Sequence, residues 1–530
     1  MSVAGVMHWH GYRVRNEMDL GSSLSIATSG LNAIEYELSV TSQNVSNSGT
    51  TGYVSATANV SSAVAAGQGT GIKIDATTLN ISPTLQKALY SQNAQVASLT
   101  TTSNSLAAVS ALQGSTSADS GSTDTLSDLL GNVQSALTSL TSEPTDSTSQ
   151  STVIADAQSL TSTINTLSST YTTQRQTAED SVVSTVSSIN SDLTTIGSLS
   201  KQIMTLKAAG ADTSALENQR LGIMSDLSSD VSVTFSETSS GDMVVRTADG
   251  TELPTRPDQI GQSDTGVTLP STTWPLSTSD STVTADSYYA AGDSNSSIAG
   301  ITLNGQDITS HLTGGTLGAN ITLRDTTYPQ MQAQLDSFSS TLMTRFSNAG
   351  LSLFTNGSST TQGTSTTEET PNGIVGLSAA LSVNSTYVDT PSLLTTDSSG
   401  STGSITAITD VLGTAFGTSS ADVSGSLAAP SDNLGPTGNL STGYSGSQGL
   451  VALATALTSN QASTISNASD NLTSATAVQT TLQTSVSNVS GVNVDDEMSK
   501  VVALQNAYTA NAKVVTAVQS MFTALLDAIN

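Results

Sequence analysis

From Val494 onward an apolar or aromatic residue returns at every seventh position: Val494, Val501, Tyr508, Val515, Phe522 and Ile529. Met498, Gln505, Ala512, Gln519 and Leu526 fill the alternate positions of the same seam. A 4-3 repeat of this kind lays one narrow stripe along an α-helix, and a second helix has to cover that stripe. The residues before it supply a start, because Asn493 suits the N-cap and Asp495, Asp496 and Glu497 set negative charge against the positive end of the helix dipole. At about 1.5 Å per residue, such a helix would run roughly 50 Å to the end of the chain. The other end carries a matching stripe, with Leu24, Leu31, Leu38 and Val45 at one position and Ala27, Ile34 and Thr41 at the other. The two ends are read as partners, within one chain or between copies. Gln505 and Gln519 would fix the register of that pairing at some cost in stability.

The chain has 530 residues, enough for several domains, yet aromatics make up only 4% of it. Its apolar residues are mostly Ala, Val, Leu and Ile, which suit helical seams and small sheets better than one large core. Acidic residues outnumber basic ones 42 to 14, for a net charge of -28. Nucleic-acid affinity rests on Lys and Arg contacts to phosphate, so nucleic acid and anionic membrane are excluded as partners. With no Cys, neither disulfides nor thiolate metal sites can form. No apolar run of about eighteen residues is present to span a membrane. Residues 1–17 lack the apolar stretch of a secretory signal and read as a start-site extension ahead of Met18.

The middle of the chain gives helical spacing over residues 84–112, then at Leu126, Leu130, Val133, Leu137 and Leu140, and again from Val153 to about Leu206. Strand-like alternation replaces it near Val231, with Asp249-Gly250 and Asn304-Gly305 as hairpin turns. The fold expected is α+β and multidomain: paired terminal helices as a coiled coil, a long helical bundle layer, and one or two inserted β-rich domains. Its parts are residues 18–60 (axial helix and turn), 61–230 (helical layer), 231–325 (β domain), 326–354 (a helix returning to the layer), 355–450 (a variable Ser/Thr/Gly-rich insertion) and 451–530 (C-terminal helices).

Nothing in the chain assembles into catalytic chemistry. His8 and His10 lack a carboxylate cluster nearby, and His311 precedes a turn. The Gly-rich stretch at Gly67, Gly69 and Gly71 lacks the Lys-Ser/Thr ending of a phosphate loop and reads as a turn. No catalytic, cofactor or metal residues are assigned.

The stretch SSLSIATSGLNAIEYELSVTSQNVSNSGTTGY, ending at Tyr53, resembles the N-terminal signature of the bacterial flagellar axial proteins, the rod, hook and hook-associated subunits. Asn44, Asn47, Gly52 and Tyr53 match its Asn-rich turn, while Thr51 departs from the usual Pro. The last forty or so residues resemble the family's C-terminal signature. Within the family, the stretches around Pro144, Arg220 and residues 314–342 are similar to the hook-associated protein 1 branch. The resemblance implies a secreted structural adaptor in the flagellum at the hook–filament junction, self-assembling as a ring and exported without a cleaved signal. It also implies hook protein, hook-associated protein 3 and an export chaperone on the C-terminal helix as partners. The implied assembly residues are Leu24, Leu31, Leu38, Val45, Asn44, Asn47, Gly52, Tyr53, Val494, Met498, Val501, Tyr508, Val515, Phe522 and Ile529. A hook or rod subunit, or a Ser/Thr-rich adhesin, stands as the alternative.

Overall fold

The computed structural model describes residues 20–50, 52–65, 68–113, 125–261, 267–293, 295–356, 374–417, 423 and 427–529. The expected extension at residues 1–17, with His8 and His10, lies outside them, as do Thr51 and Gly67. The architecture is α+β, with helices dominant and the sheets small.

Helix α1 (Leu20–Ser46) leads through a turn into a long β-hairpin, β1 (Ala56–Ala65) and β2 (Gln68–Leu79). Helical spacing did not announce this ribbon, and residues 61–65 and 68–79 are strand rather than part of the helical layer. Its Val, Ile and Thr residues favour the extended chain, but so many small residues alternate among them that the period is faint. The helical layer follows as α2 (Pro83–Gln113), α3 (Leu126–Ser142), α4 (Ser147–Ala208) and α5 (Ser214–Asp230). Two of its helices carry side-chain N-caps. Thr125 accepts from the Asp128 N–H at the start of α3, and Asp146 accepts from the Ser149 N–H at the start of α4. Helix α4 is a single rod of 62 residues, and it runs through both hydrophobic cores of the molecule.

The second of those cores joins the C-terminal half of α4 to α5 and to two small antiparallel sheets. One sheet holds β3 (Val233–Glu237), β4 (Met243–Thr247) and β5 (Glu252–Leu253); the other holds β6 (Leu276–Ser277), β7 (Thr302–Leu303) and β8 (Gln306–Asp307). Asn304 and Gly305 both have positive φ, 51° and 78°, as a tight hairpin between β7 and β8 requires. The β region ends sooner than its sequence suggests: α6 (Gly315–Thr322) and a π-turn at Leu323–Thr327 run straight into α7 (Tyr328–Asn348). A Gly-rich start hides that helix, because Gly314 and Gly315 look like a turn, and Gly315 does take a left-handed φ of 63°.

The first core gathers α3, the N-terminal half of α4, α7 and the start of α11 (Leu450–Ser490). It also takes in described residues between 351 and 434, where β9 (Phe354–Thr355) and β10 (Ser382–Val383) pair, and where α8 (Leu377–Ala380), α9 (Ser385–Asp389) and α10 (Thr406–Asp410) are short. The described part of this insertion is therefore mostly irregular chain rather than a second β domain. It is held by apolar anchors such as Leu394, Val411 and Phe416, and by buried polar side chains. Asp336 of α7, for instance, accepts from the backbone N–H groups of Gly376 and Ser378. Arginine does similar work elsewhere. Arg175 is 2% exposed and donates to the carbonyls of Arg324, Thr284 and Ser287 at 2.9, 2.9 and 2.8 Å. Arg345 donates to the carbonyls of Leu427 and Gln448. Several of the few cations are thus consumed inside, which leaves the surface more acidic than composition alone implies.

After α11, Gly491 separates off the last helix, α12 (Val494–Ile529). Asn493 caps it, its side-chain oxygen accepting from the Asp495 N–H at 3.1 Å.

Candidate assembly surface and the joint behind it

The two ends of the chain lie together. Asn44 near the end of α1 bonds Glu497 near the start of α12, and Gly30 sits so close to Asn511 that an added Cβ would lie 3.0 Å from its amide nitrogen. One contact advances along α1 as the other retreats along α12, so the helices are antiparallel. The hairpin packs on another side of α1: Ile72 N–H donates to the Ser29 hydroxyl at 3.0 Å, and Tyr36 and Thr77 share a hydroxyl bond. Gly71 is required there, since a Cβ would collide with the Ser29 hydroxyl.

With partners on two sides, the buried face of α1 is wider than the stripe and rotated from it. Ala27, Ile34 and Thr41 are buried, together with Ala33, Val40 and Asn44, whereas Leu24, Leu31, Leu38 and Val45 are only half-buried. On α12, Val501, Val515 and Phe522 are half-buried and Tyr508 is 41% exposed. The second covered row is Glu497, Leu504, Asn511 and Val518, one residue earlier than the Met498, Gln505, Ala512, Gln519 and Leu526 row. Val494 and Met498 face outward at 41% and 48% exposed, joined by Val502 at 55% and Leu526 at 62%. The helix backbone includes Ile529, whose side chain lies outside the described residues. The result is a helix covered along one face and bare on another, where the apolar Val494, Met498 and Val502 stand four apart near its start.

Each residue of the Asn-rich turn has a backbone task. Asn47 donates to the Gln43 carbonyl and accepts from the Thr50 N–H through its own backbone, and the half-exposed chain reverses at Gly52 with a φ of 79°. Tyr53 donates its phenol proton to Asn44 Oδ1 at 3.0 Å. Burial, then the nearby Glu497 carboxylate, raises that phenol above its usual value, so it stays a donor. The Asn44 amide also takes both backbone groups of Ala56, accepting from its N–H at 3.0 Å and donating to its carbonyl at 2.8 Å.

Sequence reasoning missed three members of this joint. Asn218 on α5 holds both backbone groups of Val54, accepting its N–H at 2.9 Å and donating to its carbonyl at 3.0 Å. Between them, Ser55 donates its N–H to the Ser490 carbonyl at 2.7 Å and accepts from the Asn80 N–H at 2.9 Å. Glu497, read from sequence as helix-start charge, is 6% exposed and accepts from Asn44 and from Lys500. No local pattern marks Asn218 or Asn80, whose partners are backbone atoms far away in sequence.

Elsewhere the polar groups serve the fold. His311 pairs with Asp249 across the β region. An open groove of about 710 Å³ runs between α4 and β10, lined by neutral side chains such as Gln158, Asn165, Ser169 and Leu381, with no titratable group among its lining residues. Among the described residues, no cluster of three or more His, Cys, Asp or Glu could hold a metal ion, and no helix is long and apolar enough to cross a membrane.

Comparison with known proteins places these elements. Residues 115–359, from the start of α3 through α7, match the family model of the flagellar hook-associated protein FlgK helical domain. Residues 483–528, the end of α11 and nearly all of α12, match the C-terminal model of the flagellar basal body rod FlgEFG proteins. A solved structure described as the flagellar hook junction protein FlgK from Burkholderia pseudomallei is similar at 22% identity and a TM-score of 0.40, over 51% of this chain and 46% of that one. The search of curated proteins returned no match. The chain thus matches the FlgK helical-domain family in its middle and the flagellar axial C-terminal family at its end.

Proposed function

We propose that this protein is a structural adaptor subunit of the bacterial flagellum, joining hook to filament and self-assembling into a ring through its terminal helices. The observation that carries the reading is the bare apolar row of α12 on the far side from its seam with α1. A chain with a net charge of -28 gains nothing in water from Val494, Met498 and Val502 bared at a spacing of four, with Leu526 bared nearer the helix end, and such a row is covered when copies assemble. The half-buried rows at Leu24, Leu31, Leu38 and Val45, and at Val501, Val515 and Phe522 with the more exposed Tyr508 among them, flank the same surface. Asn44, Asn47, Gly52 and Tyr53 hold the turn behind it, and Ile529 extends the helix that bears it.

Hook protein on one side and hook-associated protein 3 on the other are the partners this role requires. Before assembly the exposed row needs cover, which is the part assigned to an export chaperone on the C-terminal helix. Export then proceeds through the flagellar type III apparatus, with no cleaved signal. The rod-type match covers only the terminal segment, which the axial proteins share, while the match at residues 115–359 favours the hook-associated branch over a hook or rod subunit.

The test is the pair Met498→Asp and Val502→Asp, outward residues whose change spares the α1–α12 seam. The isolated variant should keep wild-type helicity and yet be absent from purified flagella, with hooks formed and filaments missing. Normal filaments on a strain carrying only that variant would refute the role.

A further inference from the structure

Three consecutive residues, Val54, Ser55 and Ala56, carry the chain from the turn after α1 into β1, at the end of the terminal unit that faces the helical layer, and every backbone N–H and C=O among them is bonded. An extended chain points the polar groups of alternate residues to opposite sides. Val54 and Ala56 thus meet one edge, formed by the side-chain amides of Asn218 and Asn44, while Ser55 meets the other, formed by the backbone of Ser490 and Asn80. Each amide copies the donor and acceptor of a neighbouring strand's peptide group. The two clasps differ in what they join. Asn44 belongs to α1, so its bonds close the terminal unit on itself. Asn218 belongs to α5, so its bonds run from the terminal unit to the helical layer.

We propose that Asn218 is a positioning residue that sets the direction in which the α1–α12 pair leaves the helical layer. The chain crosses between the two parts at residues 79–83 and 490–494, and two backbone connections by themselves leave a hinge about which the terminal unit can swing. The Asn218 clasp stands to one side of them, on α5, and resists that swing. Its two neutral hydrogen bonds equal one rung of a strand ladder, firm enough to hold an angle and weak enough to be released. Tyr36, with Asp212 beside it, is the neighbouring contact across the same gap. The consequence for assembly rests on the adaptor reading above, because subunits that share a ring must present their terminal helices at one angle; the clasp itself is tested on the isolated subunit.

The chain has no Cys, so two spin labels can be placed without background, at Ser39→Cys on α1 and Gln202→Cys on α4, both exposed. Dipolar spectroscopy on the full chain should give one narrow distance distribution. Asn218→Leu, which keeps the size and removes both bonds, should broaden it at least twofold, while the far-ultraviolet circular dichroism and the melting of the helical layer stay unchanged. Asn218→Asp keeps the acceptor for the Val54 N–H and should broaden it less; it also serves as the working variant if the Leu form folds poorly. A distribution as narrow in both variants as in the parent would overturn the positioning role. Filament counts in cells then address the adaptor reading separately: broadening in the isolated subunit with normal filaments would keep the clasp and count against its use in assembly.

Discussion

Asn44 donates to Glu497 at 3.2 Å across a sequence separation of 453, and both side chains are buried. This bond closes the protein's two ends at the point where the helical layer begins. Asn44 is fully used there: its nitrogen serves Glu497 and the Ala56 carbonyl, while its oxygen serves Tyr53 and the Ala56 N–H. An Asn at this place in a terminal helix therefore does what neither an apolar nor a charged residue could.

Replacing Asn44 with Ala should cost about 3 kcal/mol, since it leaves the Ala56 groups and Glu497 short of partners in a buried place. Asn44→Asp should cost more at neutral pH, because two carboxylates would then face each other, and the extra cost should fall away as the pH drops below about 4. Native-state hydrogen exchange over α1 and β1 measures both effects. Amides of α4, in a separate core, should keep their protection.

The 4-3 spacing of the ends made α1 and α12 legible, as did the cap at Asn493 and the turn at Asn304-Gly305. Phase was harder to read. On α12 the covered row at Leu504 and Val518 and the bare row at Met498 and Val502 are similarly apolar, so periodicity alone cannot say which of them meets α1. On α1 the half-buried Leu24 row looks the stronger seam, yet small residues at Gly30, Ala33 and Ala27 permit the close approach that large ones would block. The hairpin hid behind its small residues, and Asn218 behind its ordinariness: a single Asn on a helix acquires a role only from the strand segment it clasps.

Asp192 on α4 is held near two other carboxylates, Asp230 and Asp226 of α5. Burial first, then their charge, raises it to about 7, and Asp230 rises to about 6. An unfolded Asp titrates near 3.9, so the folded chain holds this proton more tightly than the unfolded one. That contribution to stability is complete below about pH 4 and is lost as the pH rises through about 7. Asp192→Asn should therefore raise the melting temperature at pH 8, have little effect at pH 4, and flatten the stability profile between pH 5 and 7. Thermal melts of parent and variant across that range check the sign.

Arg175 braces α4 against the π-turn and the loop at Thr284–Ser287 by three bonds to backbone carbonyls. Arg175→Ala should cost about 3–5 kcal/mol in urea unfolding, because buried acceptors are left unmet. Arg175→Lys should recover little of it, since a compact ammonium cannot reproduce a planar fork reaching three divergent oxygens. A Lys variant as stable as the parent would show that charge rather than geometry matters at this position.

Val515 and Phe522 give the counterpart to the outward pair Met498 and Val502, because they lie half-buried beside the covered row rather than on the bare one. Changing both Val515 and Phe522 to Asp puts carboxylates at the edge of the α1 seam, with an expected cost of about 2–4 kcal/mol confined to the terminal unit. Hydrogen exchange in α1 should accelerate strongly while α4 and α7 remain protected, and the variant should also be missing from flagella. The outward pair should be missing from flagella with α1 exchange unchanged. Two variants with one cellular outcome and opposite exchange behaviour would separate the seam within a subunit from the surface between subunits. If the outward pair also loosened α1, the row taken as bare would belong to the seam.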